Sequence, residues 1–281
     1  MNFRIATVSF LNSVPLMEWF STSDGSGHQI ISELPSKMSD LLKNGDADVA
    51  LLPVVESFRG QTGGLFAGTG IACYGNVDSV KLFSSGPLSQ IQNVLADRGS
   101  KSSVALTQIL LGELQNIKPG FVQIEPRPGH IPADNEAILV IGDRCFEYEK
   151  QLIESDKTGV IAYDLGGMWF DMTGLPFVFA VWALAPGFRE RMGDAGVNAL
   201  SKLLAEARDY GLANLNTLAA REATNGRLGY LGQSSPEAIG HYFSKSLVYK
   251  LGDREILGIR RFHELCIKYG LVPDQPLPRI L

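Results

Sequence analysis

The chain has 281 residues, of which 45% are hydrophobic and 20% charged, and it carries a net charge of −5. That composition is globular, and the length suits one large domain or two of about 100–180 residues each. An acidic chain without a Lys/Arg run excludes nucleic acid and an anionic membrane surface as partners.

Residues 3–11 read as a buried strand, rich in β-branched and aromatic side chains. Asn12 and Ser13 follow it, and Pro15 disfavours helical geometry at Val14. A helix over Met38, Leu41 and Leu42 stops at Asn44-Gly45. Residues 48–52 are a short apolar strand, after which Pro53 opens a helix through Val54, Val55 and Phe58. Strand and helix in alternation are the mark of a parallel sheet. Residues 70–85 read as two strands around a Gly75-Asn76 turn. A strand at 93–96, a polar loop at 97–102 and an apolar helix over Val104–Leu114 repeat the earlier theme. Ser102 or Ser103 stands where that helix needs its N-cap.

The segment 137–146 is again a strand, ending in Gly142-Asp143. Residues 159–187 hold a strand closed by Tyr163 and Asp164, a turn at Gly166-Gly167, and a second strand at 177–184. Beyond Gly187 helical patterns take over, at roughly 188–210, 212–223, 235–246 and 253–269. Ser235-Pro236-Glu237 is a strong helix start, and Gly270 with Pro273 ends the last one. The fold class is therefore α/β. Crossovers near 76–88 and 174–186 divide it into one lobe of residues 1–86 and 178–281 and another of 87–177, with a cleft between. Ligands of open α/β sheets bind beyond the carboxyl ends of strands. Asn12, Ser13, Glu56, Ser102, Ser103, Gly142 and Asp143 all stand at such ends.

Cys73, Cys145 and Cys266 are odd in number and scattered, which fits a reducing compartment better than a disulfide framework. The four histidines show no metal-ligand spacing, so no protein-bound metal is expected. "IATVSFL" is too short and interrupted for a secretory leader. The longest apolar run, 175–185, falls short of the ~20 residues a membrane span needs. The expected address is the cytoplasm, and the expected state is a monomer or homodimer.

The blocks "SFLNSVPL", "GDADVALLPVVES", "GIACYGNVDSVKLFS", "SSVALTQILL", "AILVIGD" and "YDLGGMWFDMTGLPFVFAVWA" carry a resemblance, in this order and spacing. They are similar to the chorismate dehydratases of the futalosine route to menaquinone, over about residues 4–187. The resemblance implies a bilobed fold like the type II periplasmic binding proteins, with two doubly wound sheets. It implies loss of water from chorismate to give 3-[(1-carboxyvinyl)oxy]benzoate, with no cofactor. The alternatives are a 1,4-dihydroxy-6-naphthoate synthase-like lyase of the same pathway and a non-enzymatic small-anion-binding protein.

Chorismate brings two carboxylates, so its site needs donors more than a nucleophile. Asn12, Ser13, Ser79, Ser102, Ser103, Gly142 and Asp143 are the expected contacts, helped by backbone N–H groups at a helix N-terminus. For Ser102 and Ser103, helix capping competes with ligand binding. Glu56, Asp143, Tyr163 and Asp164 are titratable, and an ion pair or a cap competes with any catalytic role for them. The base is thus open between Glu56, Asp143 and the enolpyruvyl carboxylate of the substrate. Substrate-assisted elimination is the expectation, with Asn12 orienting that carboxylate.

Overall fold

The computed structural model describes residues 1–60, 62–127, 129–154, 159–228 and 235–281. Among them ten strands form two mixed five-stranded sheets wrapped by helices. The first sheet contains β1 (Arg4–Thr7), β2 (Gln29–Ser32), β3 (Val49–Pro53), β4 (Gly64–Cys73) and β10 (Phe177–Leu184). Its order is β2-β1-β3-β10-β4. β1 runs parallel to β2 and β3, and β10 is antiparallel to both its neighbours.

The second sheet repeats this plan. It contains β5 (Val80–Ser84), β6 (Asn93–Asp97), β7 (Gly120–Ile124), β8 (Glu136–Ile141) and β9 (Ile161–Asp164), in the order β7-β6-β8-β5-β9. Here β5 is the antiparallel strand, paired with β8 and β9. Each lobe thus takes as its fourth strand the one that arrives from the other lobe. The two strands read over 70–85 are β4 and β5. β4 and β5 lie in different sheets, and Tyr74–Ser79 is a crossover. A Gly-Asn turn between apolar strands looks the same locally whether the chain folds back or crosses over.

Side-chain alternation builds the second lobe's two faces. Leu82 and Leu139 join the main core with Ile109 and Leu110 of α4 (Lys101–Gln115). Phe83, Ile138 and Val140 face the other way, onto Cys145, Tyr148 and Leu152 of α5 (Asp143–Glu154). β3 is buried on both faces apart from its last residue, as a central parallel strand should be.

The chain after Gly187 is helical, as the pattern predicts: α7 (Phe188–Ala213), α8 (Leu215–Thr224), α9 (Pro236–His241) and α10 (Asp253–Lys268). Ser235 caps α9, accepting from the Ala238 N–H at 3.0 Å. A π-helix, Tyr242–Ser246, continues it. Among the described residues no helix is long and apolar enough to cross a membrane.

β1 is shorter than the strand read over 3–11. The chain leaves the sheet after Thr7, makes a 3-10 turn at Leu11–Ser13 and enters α1 (Val14–Met17). Val14 is helical, with φ −52° and ψ −47°, against the local preference before proline. Pro15 sits in the first turn of α1, where its missing N–H has no partner to lose.

Candidate functional site

A cavity of about 690 Å3, its open mouth included, lies between the lobes. From the first lobe come Val8, Phe10, Asn12, Leu51, Pro53, Ile71, Phe179 and Ala180. The second supplies Val80, Gly99, Ser100, Lys101, Ser102, Ser103, Ile141 and Gly142, and the crossover adds Val77 and Ser79. The walls are mostly apolar, with a few polar groups converging, which is the usual make-up of a small-molecule site.

Asn12 stands in the 3-10 turn beyond β1. Its Oδ1 is buried and has no hydrogen-bond partner among the described residues. A buried amide left unsatisfied is costly, so the position is one a ligand completes. Ser13 does not reach the cavity. Its hydroxyl contacts the carbonyls of Val8 and Phe10, each at 2.7 Å, and closes the turn that holds Asn12 out.

α4 aims its N-terminus at the same space. Neither Ser102 nor Ser103 caps it. Ser100 occupies the N-cap position and its hydroxyl goes instead to the Asp97 carbonyl at 2.6 Å. The first helical bond there is from the Val104 N–H to the Ser100 carbonyl, which leaves the N–H groups of Ser102 and Ser103 in the uncapped first turn. The Ser103 hydroxyl has no partner among the described residues. The Ser102 hydroxyl is engaged: it accepts from the Val55 N–H and donates to the Phe179 carbonyl, both at 3.3 Å. These bonds tie α4 to α3 (Val54–Ser57) and to β10, across the cleft. Phe179 reaches the cavity because β10 bulges there, between the pairs Val178–Ala72 and Ala180–Ile71. Phe177 and Trp182, its neighbours in the sequence, pack in the core.

Gly142 ends β8 at φ +65°, a conformation that favours glycine. Its N–H donates to the Ser79 carbonyl at 2.8 Å, and an added Cβ would lie 3.5 Å from the Phe10 ring. The carboxylates named from the sequence stand outside this lining. Asp143 accepts from the Leu11 N–H at 3.2 Å and pairs with Arg227 at 2.5 Å. Burial pushes its carboxyl up, and the Arg227 charge offsets only part of that. Glu56 is held by Lys101 at 2.8 Å, and by Arg59 and Ser39, each at 3.1 Å. Burial works to raise its carboxyl, but the Lys101 hydrogen bond and the Lys101 and Arg59 charges outweigh it and hold it below the usual range.

Tyr163 is half-buried in β9, paired with Leu82. Asp164 caps α6 (Leu165–Thr173) and accepts from the N–H groups of Val77, Asp78 and Gly167. Gly166 and Gly167 serve packing. A Cβ on Gly166 would come within 2.6 Å of Cys73 Sγ and the Gly75 carbonyl, so the pair lets α6 abut the crossover.

Sequence reasoning missed Lys101, the cavity's one ionisable lining residue among those described. It also missed Tyr242, whose hydroxyl meets Ser79 at 2.8 Å. Lys101 had a readable signal, a cation beside two serines at a helix start. Tyr242 had none, since 163 residues separate the partners.

The sequence profile of the family described as menaquinone biosynthesis matches residues 3–268. A chorismate dehydratase from Thermus thermophilus is 32% identical over 251 residues, covering 85% of this chain and 86% of that protein. Among solved structures, a protein from Archaeoglobus fulgidus superposes with a TM-score of 0.63 at 14% identity, covering 96% of this chain and 98% of that one. The periplasmic aliphatic sulphonate binding protein of Escherichia coli gives 0.61 at 14% identity, covering 100% and 93%. At such identities the likeness is one of fold: the periplasmic binding protein fold.

Proposed function

The chain belongs to the menaquinone biosynthesis family, and on that premise we propose that it is a chorismate dehydratase, a hydro-lyase acting in the cleft. Chorismate loses the proton of the ring carbon bearing the enol ether and the neighbouring hydroxyl, and leaves as the aromatic 3-[(1-carboxyvinyl)oxy]benzoate and water. Aromatisation drives the reaction. The protein's tasks are to orient the substrate, exclude water and hold the charges.

The observation that carries this reading is the lining. Among the described residues it contains no carboxylate, imidazole, thiol or phenol, and its ionisable group is Lys101. A base must come from elsewhere, and the enolpyruvyl carboxylate is within the substrate's own reach of the ring proton. Folding that carboxylate over the ring is the work assigned to the Asn12 Nδ2, while the buried Oδ1, which has no partner among the described residues, is placed to accept from the substrate's ring hydroxyl. The Ser103 hydroxyl and the free N–H groups of α4 receive the other carboxylate, with the helix dipole in their favour. Lys101 adds a nearby positive charge to an otherwise acidic protein. The apolar wall of Phe10, Ile71 and Phe179 excludes water from the developing ring.

The test is incubation of the purified protein with chorismate, followed by ultraviolet spectrum and product mass. Loss of one water with an aromatic product is expected. Unchanged chorismate that nevertheless protects the protein from heat would replace this reading with a binding protein's.

A further inference from the structure

Ser79 and Tyr242 make a buried pair whose protons can be counted. Ser79 is 1% exposed and lines the cavity just before β5. Its carbonyl is taken by the Gly142 N–H, which leaves its hydroxyl as the polar group facing the site. Tyr242, 2% exposed, is the first residue of the π-helix. Its ring packs edge-on against Phe146, with centroids 5.1 Å apart. Its hydroxyl has one partner among the described residues, Ser79 Oγ.

Two hydroxyls 2.8 Å apart can share either proton, but only one arrangement satisfies both. If Ser79 donated, the phenol's proton would be buried with no acceptor. The phenol is also the more acidic donor. The bond therefore runs from Tyr242 to Ser79, and the Ser79 proton is left for the cavity. Burial keeps Tyr242 protonated, since it pushes the phenol well above its ordinary value.

We propose that Tyr242 is a positioning residue that directs the Ser79 hydroxyl proton to the anionic substrate, and that it does so across the junction of the lobes. A free serine can donate or accept. With Tyr242 occupying one lone pair and the Ser79 hydroxyl held in place, the proton points into the cavity. That suits a carboxylate or a departing hydroxyl.

The π-helix is built for this grip. Four residues beyond Tyr242, the Ser246 hydroxyl donates to an oxygen of Asp78. The π-helix thus holds two consecutive crossover residues by their side chains. Asp78 has φ +64°, in the left-handed region that aspartate enters more readily than most residues. π-helical turns are rare and concentrate at functional sites.

The inference rests on the dehydratase reading, and the experiment keeps the two apart. Wild-type turnover of chorismate is measured first; its absence would sink the function, not the pairing. Given turnover, Tyr242→Phe keeps the ring and removes the hydroxyl, and is expected to lower kcat/KM about tenfold or more. Ser79→Ala deletes the relayed donor and should lose at least as much. The deciding measurement is the double-variant cycle. In the Ser79→Ala background, Tyr242→Phe should change kcat/KM by less than about twofold. Equal losses in both backgrounds would overturn the proposal, because a merely structural phenol would cost the same with or without Ser79. If Tyr242→Phe fails to fold, Ser79→Ala alone remains decisive, and unchanged kcat/KM there overturns it too.

Discussion

Asn12 carries most of the chemistry assigned to single residues. Its amide does not titrate near neutrality, so its contribution is orientation and hydrogen bonding of the charge that moves during elimination. Asn12→Ala should lower kcat about a hundredfold, the usual cost of one such preorganised contact. Binding, read as protection of the protein from heat by chorismate, should weaken far less. Asn12→Asp places a negative charge beside a dianion and should abolish that protection. Glu56→Ala and Asp143→Ala, each made alone, should keep kcat within about tenfold, because both carboxylates are spent on ion pairs. Loss of turnover with binding retained in either variant would hand that carboxylate the role of base. At this scale the sequence showed which residue types gather at strand ends but not where their hydroxyls point. The Ser13 and Ser102 hydroxyls bond to backbone groups, whereas the hydroxyl of Ser103, one position beyond Ser102 on the same helix, has no partner among the described residues. For Ser102 the difference from Ser103 is set by Val55 and Phe179 of the other lobe, which no local pattern encodes.

Elements were legible where a pattern is long. β10 spans Phe177–Leu184, as read, and the four C-terminal helices fall within a few residues of their predicted spans, the third passing into the π-helix. Elements defined by their partner were not legible. β4 and β5 read as two strands around a turn, but the sheet each would join was not readable, because the apolar alternation of a strand does not name its neighbour. The bulge at Phe179 was equally silent, since one unpaired residue leaves the composition of the strand unchanged. The contact between α6 and the crossover did leave a trace, the Gly166-Gly167 pair. Gly166→Ala would force a methyl group to within 2.6 Å of Cys73 Sγ and the Gly75 carbonyl, and backbone cannot step aside as a flexible side-chain end can. The expected cost is about 1–3 kcal/mol, measured by urea unfolding. Turnover should also fall, because Val77 and Ser79 of the crossover line the cavity.

The whole molecule is two lobes joined by crossovers and fastened across the cleft by charged pairs. Arg227 bonds Asp143 and the Ser9 carbonyl on one side of the cavity, Lys101 bonds Glu56 on another, and Lys268 and Tyr269 meet Glu113 on the rim. Such fastening makes stability depend on pH, with a sign fixed by each group. Glu56 has its folded value below the ordinary 4.5, so it stabilises the fold above that pH and the gain disappears as pH falls through the folded value. Asp143 has the opposite sign: burial raises its folded value above 3.8, so its ionisation works against the fold as pH rises past that point. Because the two oppose each other, a pH curve of the wild type alone would not separate them. Glu56→Gln does. At pH 7 the variant should be less stable by about 1 kcal/mol, the scale of a pair whose lysine is partly exposed. Below pH 4.5 that difference should shrink towards zero, as the wild-type glutamate also loses its charge. Urea unfolding of both proteins at pH 7 and at successive steps below 4.5 measures it. A difference that stays constant with pH would mean that Glu56 acts by its shape and hydrogen bonds, and that the Lys101 charge faces the cleft without being held by it.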